Sequence, residues 1–391
     1  MIDAGSGDDG GDGDGGESDG GQSDAGSEGW TWLPVEGSRC ARGSSAGIGL
    51  KRSGLDEDLF IFLQGGGACW NQGTCVPSVM RFGPICYYDT ACLYSGAGGQ
   101  QPSAVHVNED DPYPADGGGH FPQEVAVLDS VRALDRTVPD NPFRDATFVF
   151  VPYCTGDLHA GDAERTYQYK VGYLDPVQSR KIHFAGASNM DAYLQVLKAR
   201  FPNAKRIWLT GSSAGGYGAT FNLPRVRDAF PGAEVHLLAD SAPFVQPVHW
   251  AEWRDAWNLR LPADCEDCDA GMPQIAAHLA RRFPDSRQGL LAYDSDQVLR
   301  WFFFAGTGPE AALNPPVGPY QAGLDALLAE RAAHANADAF VLPGTAHVMW
   351  QGYGTALSDG GTAPPFDSAD GGTNLREWIH AWATGEGFGG P

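Results

Sequence analysis

The residues whose spacing most clearly suggests chemistry are Gly211-Ser212-Ser213-Ala214-Gly215, a G-x-S-x-G pattern. An apolar run, 206–210, leads into it and a helix-compatible segment follows. A strand that turns sharply into a helix pushes a serine oxygen out of the backbone, and small flanking residues relieve the crowding of that turn. The register selects Ser213 as the nucleophile; Ser212 comes one place too early. A nucleophilic serine needs donors for a developing oxyanion, a base to take its proton, and an acid to hold that base.

Each partner has candidates. One oxyanion donor is the N–H of the residue after the serine, Ala214. A second should come from a glycine-rich loop after an earlier strand, and the run 59–63 leads directly into Gln64-Gly65-Gly66-Gly67-Ala68-Cys69-Trp70. A phosphate cradle is disfavoured there, because no Lys-Ser/Thr follows and the surroundings are acidic. Among the histidines after Ser213, His347 stands alone in following a strand-like run (340–342) across a short Pro-Gly loop. His236 falls inside a strand, and His278, His334 and His380 fall in helix-like segments. For the acid, Asp240 ends the run 235–239 and Asp294 ends the run 289–293. The later strand is the usual place, which favours Asp294; Asp240 would then be structural, capping a turn, with Asp296 a weaker third.

These residues need a frame. Six short apolar runs (59–63, 147–151, 206–210, 235–239, 289–293 and 340–342) read as strands buried on both faces, as in a parallel sheet. Residues 188–200 predict a helix: Ser188 can cap it with Asp191 three places on, and Met190, Tyr193, Leu194 and Leu197 fall on one face. A second helix is expected over 124–136. Strands alternating with helices predict an α/β fold with a mostly parallel sheet. The long stretches 241–288 and 301–338, rich in Trp, Pro and Asp, should cap the sheet as loops.

The chain of 391 residues carries a net charge of −23. Residues 1–29 hold nine acids, eleven glycines and no base, too little apolar surface to order, so they predict a disordered linker. The remaining 362 residues, expected to form one catalytic domain over 30–391, keep 40 acidic against 26 basic side chains, a balance of −14. An acidic body excludes nucleic acid as a partner and disfavours anionic membranes. No apolar run reaches the ~18 residues of a transmembrane helix. The eight cysteines suggest local disulfides Cys69–Cys75, Cys86–Cys92 and Cys265–Cys268, leaving Cys40 and Cys154 to pair over a long distance. Cys265-x-x-Cys268 has metal-ligand spacing, but no second such pair follows, so no metal is expected. Disulfides imply an oxidising compartment. Met1 leads straight into the acidic tract with no secretory leader, which reads as a leader removed and would suit a bacterial lipoprotein tether on the cell surface.

Five segments together resemble the pectin acetylesterase family: Cys40-Ala-Arg-Gly-Ser44, Gln64-Gly-Gly-Gly-Ala-Cys-Trp70, Val151-Pro-Tyr-Cys-Thr-Gly-Asp157, Gly211-Ser-Ser-Ala-Gly-Gly216 and Ala292-Tyr-Asp-Ser295. They fall in the family's order between about residues 38 and 350. The resemblance implies an α/β-hydrolase fold and a secreted serine esterase needing no cofactor, expected to act as a monomer. It maps the nucleophile to Ser213, the acid to Asp294, the base to His347 and the oxyanion donors to Gly66, Gly67 and Ala214. It also implies the Cys40–Cys154 pairing. Residues 96–120 and 241–275 match nothing in that pattern. The expected substrate is an acylated glycan such as pectin, or another ester. A hydrophobic polyester is a further option if Trp70, Trp250, Trp253 and Trp257 line an entrance, although the same residues could simply pack a cap.

Overall fold

The six apolar runs become six neighbouring parallel strands. The computed structural model describes residues 29–76, 120–128, 131–138, 141–170, 174–304, 315–350, 369–370 and 372–389. Among them lies an eight-stranded sheet of order β1-β2-β4-β3-β7-β8-β9-β10. Its parallel part comprises β3 (Asp58–Leu63), β4 (Thr147–Val151), β7 (Arg206–Ser212), β8 (Glu234–Asp240), β9 (Gln288–Tyr293) and β10 (Ala337–Leu342). Successive side chains on a strand point to opposite faces. Accordingly Leu59, Ile61 and Leu63 enter one core, with Val149, Ile207 and Leu209, while Phe60 and Phe62 enter the other, with Phe148, Phe150 and Trp208. Helices cover both faces, as an α/β-hydrolase sheet requires.

Two further strands extend the sheet antiparallel: β1 (Thr31–Arg39) and β2 (Ser45–Lys51). The edge strand β1 contains Pro34, and its register against β2 shifts between Pro34 and Arg39. A separate antiparallel pair, β5 (Ala163–Tyr169) and β6 (Gln178–Phe184), lies outside the main sheet.

The stripe Met190, Tyr193, Leu194 and Leu197 is buried, but its helix, α2, runs Gly186–Arg200. The expected Ser188 cap is corrected: Ser188 Oγ donates to the Ala185 carbonyl, while the Gly186 N–H donates to Asp157 Oδ2 at 2.8 Å. The expected helix over 124–136 is a shorter helix α1 (Phe121–Leu128), with a separate 3-10 turn at Arg132–Leu134. The stretches expected as cap loops contain helices: α4 (Trp250–Trp257) and α5 (Met272–Arg282) in the first, α7 (Val317–Arg331) in the second. Between them α6 (Gln297–Phe304) follows β9, and α8 (Leu375–Thr384) closes the second face.

Cys40–Cys154, Cys69–Cys75 and Cys265–Cys268 form disulfides. The last consumes both sulfurs of the C-x-x-C pair. The expected Cys86–Cys92 pair and the linker 1–28 lie outside the described residues. No helix among the described residues is long and apolar enough to cross a membrane. Trp70, Trp250, Trp253 and Trp257 are all buried; Trp253 packs at 5.3 Å from both Trp70 and Trp257. They therefore pack between α4 and the glycine loop, which is the cap-packing option of the two left open by the sequence.

Candidate active site

β7 ends at Ser212 and helix α3 (Ala214–Ala229) begins two residues later. Ser213 is the hinge, at φ 55° and ψ −124°, a conformation that costs a non-glycine residue roughly 1–3 kcal/mol. Backbone packs closely around this turn. A Cβ on Gly215 would overlap the Leu63 carbonyl, and one on Gly65 would overlap the Ser212 carbonyl. The β3 loop that holds Gly66 and Gly67 therefore lies directly against the serine turn. Gly67 sits at φ 77°, open chiefly to glycine. Ala214, the first residue of α3, has an N–H that the helix ladder leaves unpaired.

The glycine loop is braced from behind by Gln64. Its N–H donates to the Val151 carbonyl, its Oε1 accepts from the Tyr153 N–H, and its Nε2 donates to buried Glu124. His159 Nε2 reaches the Gln64 carbonyl at 2.9 Å. His159 stacks on Tyr153 at 4.6 Å, and burial pushes its pKa down to about 4, so it donates as the neutral ring. These partners converge from three separate segments: the start of the glycine loop, α1, and residues 151–159.

β10 leads to His347, which is buried. Its Nδ1 lies 2.7 Å from Asp296 Oδ2, with Asp296 fully buried. The expectation that Asp294 holds this histidine is corrected. Asp294 still runs in register beside β10, its N–H on the Leu342 carbonyl, and its Oδ1 accepts from the Gly344 N–H at 2.9 Å. The chain then turns inward and Asp296 faces the imidazole. Asp296 Oδ1 accepts from the Leu299 N–H at 3.0 Å, at the head of α6, where the helix N-terminus favours negative charge. An aspartate directly before a helix-forming run is a cap signal that could have drawn attention to it.

Burial alone would lower the His347 pKa, but the charge and hydrogen bond of Asp296, with the charge of Asp240, outweigh it and hold the imidazole above its ordinary range. With Nδ1 committed to Asp296, Nε2 is the nitrogen left to serve a substrate or nucleophile.

Asp240 ends β8 and is fully buried. Its carbonyl accepts from the Ser213 N–H at 2.8 Å, and its Oδ2 from Ser212 Oγ at 2.8 Å. The same carboxylate accepts from the Met349 and Trp350 N–H groups, each at 2.9 Å. Burial raises its pKa, against the hydrogen bonds that favour its charged form.

Comparison with known proteins fits this geometry. The family described as PAE: Pectinacetylesterase matches residues 129–257, which include Asp157, Ser213 and Asp240. The palmitoleoyl-protein carboxylesterase NOTUM of Homo sapiens is 27% identical over 213 residues, 53% of this chain and 34% of that protein. The palmitoleoyl-protein carboxylesterase notum1' of Xenopus laevis is 27% identical over 254 residues, 63% of this chain and 41% of that protein. The chain thus spans well under half the length of these relatives. The fold, the serine turn and these matches together make the chain similar to the pectin acetylesterase family.

Proposed function

We propose that the chain is a serine carboxylic-ester hydrolase. The observation that carries this reading is the buried His347–Asp296 pair at 2.7 Å, on a loop that shares Asp240 with the strained strand-to-helix turn of Ser213. Ser213 Oγ attacks the ester carbon as His347 Nε2 takes its proton. Gly66, Gly67 and Ala214 N–H groups receive the oxyanion, and Asp296 keeps the proton on Nδ1 and stabilises the imidazolium. His347 then returns the proton to the departing alcohol. Water, activated by the same histidine, frees the acid from Ser213.

The family supports an acylated glycan as substrate. Pectin is itself a polyanion, and a chain at −23 repels it, so a less charged acylated glycan fits better. The relatives named palmitoleoyl-protein carboxylesterases support a second reading, a long acyl chain. A panel of p-nitrophenyl esters separates the two: activity confined to acetyl supports the glycan reading, and activity rising with acyl length supports the other. The disulfides among the described residues favour an oxidising, extracellular setting.

Ser213→Ala tests the chemistry. It should lose on the order of 10⁶ in kcat while remaining folded, and should no longer react with a fluorophosphonate probe. Turnover near wild type would move the nucleophile elsewhere.

A further inference from the structure

We infer that Asp240 is a positioning residue that fastens the loop carrying His347 onto the turn carrying Ser213, so that the separation of base and nucleophile is set by one buried carboxylate. The inference rests on the proposed reading of Ser213 and His347 as nucleophile and base.

Two chain segments distant in sequence meet on this residue. From the serine side come the Ser213 N–H, on the Asp240 carbonyl, and Ser212 Oγ, on Oδ2. From the histidine side come the Met349 N–H, on Oδ1 at 2.9 Å, and the Trp350 N–H, on Oδ2 at 2.9 Å. The next residue extends the grip: Ser241 Oγ accepts from the Val348 N–H at 2.9 Å and lies 3.3 Å from Asp240 Oδ1. Three consecutive N–H groups immediately after His347 are thus held by Asp240 and Ser241. In water such a loop would sample many positions; here its backbone donors have one charged acceptor within reach.

The backbone carries a second sign of the same device. Ser213, Ser241 and Val348 all sit at positive φ, at 55°, 50° and 60°. Each is a non-glycine residue in a conformation that must be enforced by its surroundings. All three turns meet at Asp240. Strain in three segments that share one hydrogen-bonded centre fits a site held to a fixed geometry. A misplacement of about 1 Å between reacting groups can cost roughly 10²-fold in rate, so a clamp of this kind acts on kcat.

Asp240 also faces His347 with its charge. Among the described residues, Asp296 faces the imidazole on Nδ1, and near Asp296 stand Arg300, which donates to the Ser295 carbonyl, and the Tyr217, Tyr293 and Tyr320 phenols. Removing one of the two carboxylates that face His347 should therefore move its titration down, in addition to loosening the loop.

Asp240→Asn is the test, in the full-length protein, with kcat, KM and the pH dependence of kcat/KM on one neutral ester. Asparagine offers one acceptor oxygen where the carboxylate offers two, and turns an NH₂ toward backbone donors. The expected result is a fall in kcat of about 10- to 100-fold with KM within about twofold, and an acid limb displaced to lower pH. A merely structural residue would lower the amount of folded enzyme without moving that limb. Ser212→Ala and Ser241→Ala each cut one arm and keep the charge. Each should lower kcat several-fold with the acid limb unmoved, and they carry the test if Asp240→Asn does not fold. Wild-type kcat and pH profile in folded Asp240→Asn, or wild-type kcat in both serine variants, overturns the clamp. Fluorophosphonate labelling of the wild type keeps the two failures apart. Labelling at Ser213 with an unaffected Asp240→Asn overturns the clamp alone, whereas no labelling at Ser213 overturns the reading of the site on which it stands.

Discussion

Replacing Asp296 by Asn removes the charge that faces His347 Nδ1 and puts an amide there that can donate instead of accept. The wrong tautomer and a lost counter-charge should lower kcat by about 10⁴-fold. Asp294→Asn changes only the acceptor of the Gly344 N–H and should stay within a few-fold of wild type. The pH profile supplies a second check. His347 is held above its ordinary 6.5, so the protonated, inactive imidazole should persist to a higher pH and the acid limb of kcat/KM should lie above about 6.5. Asp296→Asn should bring that limb down. Equal losses from the two aspartates, or a wild-type limb below 6.5, would remove the assignment. The strained turn at Ser213 and the place of His347 after β10 were legible in the sequence because each depends on its immediate neighbours: a turn that tolerates only small residues, and a histidine following a strand end. The acid was not. Asp294 and Asp296 stand two places apart, so in an extended chain both point to the same side, and only the turn at Ser295 decides which one reaches the imidazole.

Helix α2 starts where a distant carboxylate begins it. Asp157 accepts from Thr155 Oγ1 at 2.6 Å and from the Gly186 N–H at 2.8 Å, wholly out of water. Asp157→Ala should cost about 1–3 kcal/mol in urea unfolding, by leaving those donors buried and unmatched. Burial pushes the Asp157 pKa up to about 6, above the ordinary 3.8. The folded state then binds the proton more tightly than the unfolded chain. The stability this adds is fully present below pH ~4 and is lost as pH rises through about 6, by roughly 3 kcal/mol at most. The stability difference between wild type and Asp157→Asn should fall across that window and be level above it; a level difference throughout would show that Asp157 does not titrate there. The parallel strands were legible because burial on both faces leaves an uninterrupted apolar run. β2 was not, since Gly47 and Gly49 break the run, and neither was β1, whose side chains are mostly exposed. The start of α2 could not be read either. Its cap lies 29 residues upstream, beyond any local pattern.

At the scale of the whole molecule, Cys40–Cys154 ties the antiparallel margin of the sheet to the first of its parallel strands, closing a sequence separation of 114 residues. A closure of that length should stabilise by about 2–5 kcal/mol, chiefly by restricting the unfolded chain. The double variant Cys40→Ala, Cys154→Ala should show that loss in thermal or denaturant unfolding, with kcat on a soluble ester unchanged for the fraction that stays folded. An unchanged midpoint would mean the local packing already fixes this margin. The margin itself has another consequence. An outermost strand offers its spare N–H and C=O groups to any chain that comes near, and a flat, regular one invites stacking into insoluble ribbons. β1 is neither flat nor regular: Pro34 has no N–H to offer, and the shift in register beyond it breaks the spacing a newcomer would have to match. Two copies that meet along this strand find an interrupted ladder, so this margin of the sheet is a poor seed for such stacking.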